Sequence, residues 1–384
     1  MTTHVTIETV SDDNGKSLFR SQRIKLSGKQ AVTPFRAIDP SKLRTDVSLN
    51  SSAFGFNEIY KSIDSGRLAV LQKDSTELDK FSRAMLNLSK RGHSGDIGIC
   101  LMKFDSKKAN PFPTAKEIEL LTDVAHSYSD MTPIPILEAK IDTSNFQNFI
   151  NYVEKSYDTI EELNQKPIMG ALPNLPREFY PKLLDYYLKK GINAFYYDFN
   201  GQTPDHLKLR PILRHLKNKK ALADTLIYGV NAKPGRTLKN TNIIPSKDFI
   251  AYGFGVDVLG GSHIGMKMPK AFFEKMKKAI DAQQLNKKRV FIKSDYGYYK
   301  TNAKKDLEQV YPSDTKISLD KIINDTQKTW QNLFNMEQQA IEAAKIRKRL
   351  GELKSSETIL DYIKEKAQIQ KEIKHLQLGP KGLT

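Results

Sequence analysis

The chain has 384 residues, with 61 Lys and Arg against 44 Asp and Glu, a formal net charge of +17. At roughly 150 residues per domain this length accommodates two to three domains, or one αβ barrel of about 250 residues with additions. With 39% hydrophobic and 9% aromatic residues there is material for a core, so wholesale disorder is excluded, and the single cysteine, Cys100, excludes a disulfide framework and any Cys-rich zinc site. Apolar runs such as 97–102 are too short to span a bilayer, and the first residues carry no basic–apolar–small signal pattern, so a cytoplasmic, non-membrane protein is expected.

Residues 1–30 read as a β-hairpin at the floor of the next domain, because THVTIETV and RSQRIKLSG flank the turn-like SDDNG. Over residues 31–266, short apolar runs alternate with amphipathic stretches. Strands are expected at 32–38, 67–71, 96–104, 133–138, 167–172, 194–199, 225–231 and 256–260, and helices at 115–127, 145–162, 177–190 and 203–217. Strands separated by helices run parallel, and eight of them suggest a closed (β/α)8 TIM-type barrel, with an open doubly wound sheet as the alternative. Residues 267–314 read as an irregular basic insert, and 315–384 as C-terminal helices over 319–333, 337–352 and 356–376.

Catalytic groups of such a barrel gather at the C-terminal ends of its strands. That rule selects Asp39, Asp105 with Ser106, Glu138 and Asp142, Asn174, Asp198 with Gly201, Asn231, then Asp257 with Gly260, Gly261 and His263. Carboxylates crowded into one pocket push their pKa values apart, which supplies an acid and a nucleophile. Asp39 and Asp142 read equally well as caps of the segments that follow them. The seven histidines include no His-x-x-x-His pair, so no metal site is expected, and His263 at the mouth is a candidate for catalysis or phosphate contact.

The positive charge is uneven. Residues 267–305 hold twelve Lys and Arg against three Asp and Glu, interleaved with Tyr296, Tyr298 and Tyr299. Basic groups displace counterions from phosphates, and aromatic faces stack on bases, so Lys267, Lys287, Lys288, Arg289, Lys293 and Tyr296 form a candidate nucleic-acid footprint. A solvated lysine-rich surface is the plainer alternative.

In this order the strand-end segments resemble the tRNA-guanine transglycosylase superfamily, including its phage and bacterial branch that acts on DNA. VTPFRAID resembles the opening strand, MKFDS the strand bearing Asp-Ser, PILEAK a strand ending in an acidic base reader, and PIMGALPN the Gly-Ile-Val-Gln-Gly segment. AFYYDFNG stands where the family has a glycine-rich base-binding strand. LIYGVNAKPG is similar to Tyr-Leu-Met-Gly-Val-Gly, which brings in Gly229, and AYGFGVDVLGG is similar to the closing Gly-Val-Asp-Met-Phe-Asp-Cys. LFNMEQQAIEAAKIRKRLGE resembles the terminal helix, so the likeness runs over roughly residues 20–360.

The resemblance implies exchange of guanine for a free 7-deazaguanine base in nucleic acid through a covalent sugar–enzyme intermediate. Asp105 would carry the base's proton, while Ser106, Glu138, Asn174, Asp198, Gly201, Gly229, Gly260 and His263 would hold the substrate. Three departures stand out. Lys107–Lys108 replace two glycines after Asp105–Ser106, the zinc-binding Cys/His cluster is missing, and the nucleophilic aspartate of the family falls on Gly260, leaving Asp257 as the nearest carboxylate. No cofactor is therefore expected. The absent zinc cluster and the strong basicity favour DNA over tRNA. Two other readings remain: a non-catalytic nucleic-acid-binding subunit paired with an active homologue, and an unrelated barrel enzyme acting on a small anion. The C-terminal helices would form a homo- or heterodimer interface or fold back on the barrel.

Overall fold

The computed structural model describes residues 5–106, 111–163, 166–264, 271–272, 274–275 and 287–383. It is a mixed α/β fold whose central strands are parallel. The N-terminal segment is a three-stranded antiparallel sheet of β1 (Thr6–Asp12), β2 (Arg20–Leu26) and β3 (Lys29–Val32). Its second turn is the two-residue link Ser27–Gly28, both at positive φ, which matches the twist of a tight hairpin. The sheet lies at the N-terminal ends of the parallel strands. There Thr9 Oγ1 donates to Ala223 O at 3.0 Å, and Lys29 Nζ to Asp96 O at 2.7 Å.

The parallel strands are β4 (Phe35–Arg36), β5 (Phe56–Asp64), β6 (Ile97–Asp105), β7 (Thr132–Pro133), β8 (Ile136–Leu137), β9 (Ile168–Leu172), β10 (Ala194–Asp198) and β11 (Leu226–Val230), followed, beyond β12 (Ile243–Pro245), by β13 (Val258–Leu259). One sheet has the order β4-β13-β11-β10-β9-β7 and another the order β5-β6-β8. Two links join them. Ile38 forms a parallel bridge with Asn57, and the segment 132–137 pairs with β9 through its first half and with β6 through its second. β12 belongs instead to an antiparallel sheet with β14 (Lys288–Ile292) and β15 (Gly297–Thr301).

The connecting helices are α1 (Ser65–Lys73), α2 (Ser75–Ser89), α3 (Ala115–Ser127), α4 (Phe146–Leu163), α5 (Phe179–Lys189) and α6 (His206–Asn218). Their starts follow capping chemistry: Asp64 accepts from Arg67 N, Thr114 and Glu117 form a capping box, and Asp205 accepts from Leu207 N. Each buries an apolar stripe, in α4 Phe146, Phe149, Ile150, Val153, Tyr157 and Ile160 at helical spacing.

Three expectations are corrected. The run at 67–71 is not a strand but lies inside α1, where Leu68 and Leu71 face inward one turn apart and Val70 is exposed. The second strand is β5, whose register with β6 sets Glu58, Tyr60 and Ser62 beside Ile99, Leu101 and Lys103 on one face. Those polar inward residues break the apolar run that would have marked it. The stretch 267–314 is not irregular throughout, because residues 288–301 form the β14–β15 hairpin. Finally, 319–333 and 337–352 are not two long helices. A short helix, Leu319–Asn324, precedes one continuous helix, α7 (Thr329–Glu352). α7 buries Gln331, Glu337, Gln338, Gln339 and Glu342, a polar inner face that hides its periodicity. Those groups tie it to its neighbours: Gln331 accepts from Arg289 N at 2.8 Å and Glu337 from Asn50 N at 2.8 Å. No helix among the described residues is long and apolar enough to cross a membrane.

Candidate functional site

The C-terminal ends of the parallel strands gather a polar cluster. β6 ends in half-buried Asp105, followed by half-buried Ser106, and its Lys103 forms an ion pair of 2.7 Å with Glu138, just beyond β8. Burial pulls the Lys103 ammonium below its usual range, opposed by the charges of Asp105 and Asp198. β10 ends in Asp198, whose Oδ1 accepts from Asn200 N at 2.8 Å and from Asn231 Nδ2 at 3.0 Å. Burial raises the Asp198 carboxyl above the ordinary range, against those hydrogen bonds and the charges of Lys103 and His263. Gly201, at φ +71°, donates to Asn231 O at 3.0 Å.

Beside this cluster lies a second group that sequence reasoning missed. Glu58 of β5 is 1% exposed, and its carboxylate accepts from Tyr228 Oη at 2.5 Å, Gly261 N at 2.7 Å and the His263 ring at Nε2 at 2.6 Å. Burial alone would push Glu58 up, but His263, Tyr228 and Arg36 outweigh it, so the carboxyl sits below its usual range. His263 donates its backbone N–H to Asn231 Oδ1 at 2.8 Å and stacks on Tyr60, with ring centroids 4.2 Å apart and planes 8° from parallel. Placing Glu58 depended on placing β5. Once FNEIYKSID is read as a strand, alternation alone puts Glu58 on the face of Tyr60.

Gly260 follows β13 and is fixed by the same group. A Cβ there would lie 2.1 Å from Glu58 Oε2 and 2.7 Å from Tyr228 Cε1. A cavity of about 720 Å³ opens between these strand ends and α7. Tyr60, Gly260, Gly261 and His263 line one side, Tyr298, Asn335 and Gln339 the other, with Arg36, Lys42, Lys233 and Arg289 as its cations. Asp105, Ser106, Glu138, Asp198 and Gly201 are not among its lining residues; Asp105 and Asp198 act instead on Tyr60, whose hydroxyl is pushed up by burial and then by the charges of Asp198, Glu58 and Asp105.

Several expected site residues lie elsewhere. Asp257 precedes β13 and therefore sits at the opposite, N-terminal end of the strands, 0% exposed. Both of its oxygens are held by Arg20, at 2.8 and 2.7 Å, and Oδ2 also accepts from Ile227 N at 2.7 Å. This is a structural ion pair on the floor, so the catalytic expectation for Asp257 is withdrawn. Gly229 is interior to β11, and a Cβ there would meet Phe199 and Val256 at 3.0 and 3.1 Å, so it serves packing and not substrate. Asn174 is exposed beyond β9, outside the cavity lining. Asp39 and Asp142 act as local caps, accepting from Ser41 N and Ser144 N, although Asp39 also borders the cavity.

The basic footprint divides in the same way. Tyr296 is 0% exposed and donates to Glu342 Oε1 at 2.8 Å, and Lys288 is buried with Nζ donating to Asp325 O. Neither reaches a nucleic acid: alternation along β14 turns Lys288 inward with Val290, and Tyr296, in the turn between β14 and β15 at φ +59°, folds back onto the core. Lys293 is ion-paired with Asp314, Lys287 is half-buried, and Arg289 is exposed at the cavity rim. Lys267 lies outside the described residues. Tyr296→Ala is expected to destabilise by about 3–5 kcal/mol, read in urea titration. Arg289→Ala, at the exposed rim, should stay within about 0.5 kcal/mol of wild type in the same titration.

No protein-family model and no curated protein matches the chain. Among solved structures it aligns with the carboxyl transferase domain of Rhizobium etli pyruvate carboxylase at 11% identity, covering 85% of this chain and 48% of that one, with a TM-score of 0.36. It also aligns with the biosynthetic arginine decarboxylase of Campylobacter jejuni at 11% identity, covering 77% and 56%, with a TM-score of 0.28. The chain thus spans about half of each, and the likeness is too slight to bear on chemistry. Among the described residues no group of three or more His, Cys, Asp or Glu could hold a metal ion.

Proposed function

We propose that the chain is a base-exchange enzyme of the tRNA-guanine transglycosylase kind, replacing guanine in nucleic acid with a 7-deazaguanine, with DNA favoured over tRNA. The observation that carries the reading is the gathering of Asp105, the Lys103–Glu138 pair and Asp198 at neighbouring strand ends, beside a cavity of about 720 Å³ rimmed by four cations. That volume accommodates a purine nucleotide turned out of its stack, and the cations suit its phosphates. The reading takes the parallel strands as a closed (β/α)8 barrel, which is supported by the Ile38–Asn57 bridge and by the double pairing of 132–137.

With Asp257 on the floor and Gly260 without a side chain, the attacking group is Asp105. Its carboxylate bonds to the sugar C1′ as the C1′–N9 bond breaks, the electron pair stays on N9, and N9 takes a proton. The incoming 7-deazaguanine then bonds to C1′ through N9, loses its N9 proton, and the ester breaks to restore Asp105. Glu138 and Asp198 accept hydrogen bonds from the donor edge of the base. Incubation with DNA or tRNA and isotopically heavy guanine should move label into the polymer, and mass spectrometry should find a covalent sugar adduct that Asp105→Ala cannot form. Absence of label from both polymers with wild-type protein overturns the reading.

A second reading, a non-catalytic subunit that binds nucleic acid beside an active homologue, is favoured by Gly260 and by the full engagement of Glu58. It requires retention on nucleic acid with no adduct, and exchange only when the partner is supplied.

A further inference from the structure

Base exchange moves one proton at each half-reaction, and the roles assigned above leave that proton without a carrier. The geometry points to His263 as the group that carries it, with Glu58 as the positioning residue that holds its ring. This deepens, and rests on, the base-exchange reading. Nε2 of His263 lies 2.6 Å from Glu58 Oε1, and the carboxylate also accepts from Gly261 N and Tyr228 Oη. With the carboxylate held by these donors, Nε2 must bear hydrogen, so the exchangeable proton or lone pair sits on Nδ1. The ring is clamped flat against Tyr60, and both side chains line the cavity. Three constraints therefore fix one imidazole at the cavity wall: the carboxylate, the stacked phenol and the backbone bond to Asn231.

The position of the pair is informative. Glu58 Oε2 lies 2.1 Å from where a Cβ at residue 260 would stand, so Glu58 of β5 occupies the volume that a side chain at position 260 would need. The carboxylate there does not face substrate; an imidazole does. In the first half-reaction His263 gives the Nδ1 proton to N9 of the departing guanine, and in the second it takes the N9 proton of the incoming base, returning to its starting state. Glu58 opposes the charge of the imidazolium without itself taking the proton, as a carboxylate behind a catalytic histidine does. The charged and titratable groups facing the pair are Tyr60 of β5, Asp198 of β10, Tyr228 of β11 and Arg36 of β4.

The test measures heavy-guanine incorporation against pH in wild type, His263→Gln and Glu58→Gln, with nitrogen NMR of the His263 ring as guanine is added. His263→Gln keeps a donor to Glu58 but removes the charge opposite it, so melting is recorded for each variant and rates are taken per folded molecule. His263→Gln should lose roughly 100- to 10,000-fold in kcat with KM little changed, lose one limb of the pH profile, and, in the His263→Ala form, regain rate with added imidazole. Guanine alone should move the Nδ1 resonance in wild type. A His263→Gln enzyme with wild-type kcat and pH profile overturns the inference while leaving base exchange standing. An Nδ1 resonance unmoved by guanine overturns it even if wild type exchanges no base, a result that would separately reject the function. Glu58→Gln is buried and need not fold; where it does, it should lower kcat while the Nδ1 resonance of His263 still moves on addition of guanine.

Discussion

Gly260→Ala is expected to cost about 3 kcal/mol or more, the upper end of what overpacking costs, and Gly260→Asp, which installs the residue that the resembling family carries there, more still. Overpacking a closed core usually costs about 1–3 kcal/mol, because neighbours can shift by a few tenths of an ångström. Here the added Cβ would meet Glu58 Oε2 at 2.1 Å, Tyr228 Cε1 at 2.7 Å and Tyr228 Oη at 3.0 Å. None of these can yield. Moving Glu58 breaks its bonds to Gly261 and His263, and Tyr228, 0% exposed, is anchored by the same carboxylate. Aspartate would add a second carboxylate against an ionised one in a water-poor site. Urea titration of Gly260→Ala and Gly260→Asp reads the loss directly. The telling variant is Gly260→Asp combined with Glu58→Ser, which removes the clash and moves the carboxylate from β5 to the end of β13. It should be more stable than the sum of the two changes by about 0.5–3 kcal/mol, the range in which touching residues couple. Additivity would mean that the two positions do not compete for one volume.

The same contact explains what could be read from the sequence and what could not. Strands three to eight announce themselves as apolar runs because a parallel sheet covered on both faces needs apolar residues on both. Strand two does not, since its inward positions are Glu58, Tyr60 and Ser62, which serve the mouth. The apolar run nearby, Leu68 to Leu71, belongs to the helix that covers it. A residue's end of the strand was equally obscure. Asp257 and Gly260 are three residues apart, yet the two-residue strand β13 separates floor from mouth between them. Tyr296 and Tyr298 looked like stacking platforms because they sit among lysines. Composition says nothing about which face of a hairpin is buried, and both are in the core.

Removing the floor ion pair should be as damaging to stability as filling position 260, and far less damaging to chemistry. Arg20 gives Asp257 two hydrogen bonds of 2.7 and 2.8 Å and also donates to Leu222 O and Thr225 O at 2.6 and 2.9 Å. Its side chain is 11% exposed and that of Asp257 0%. Arg20→Ala leaves a buried carboxylate with only Ile227 N as a donor, and Asp257→Ala leaves a guanidinium facing two carbonyls. Each should cost about 3–5 kcal/mol, because losing one partner of a buried pair strands the other, whereas Arg20→Met with Asp257→Leu should recover most of that loss. Arg20→Lys should fall between, since a single ammonium cannot reproduce the forked contact. On the proposed reading, base exchange per folded molecule should be unchanged in all of these variants, because the pair lies at the far end of the strands from Asp105 and His263. A folded Asp257→Asn protein that had lost exchange would restore Asp257 as the attacking carboxylate and remove Asp105 from that role.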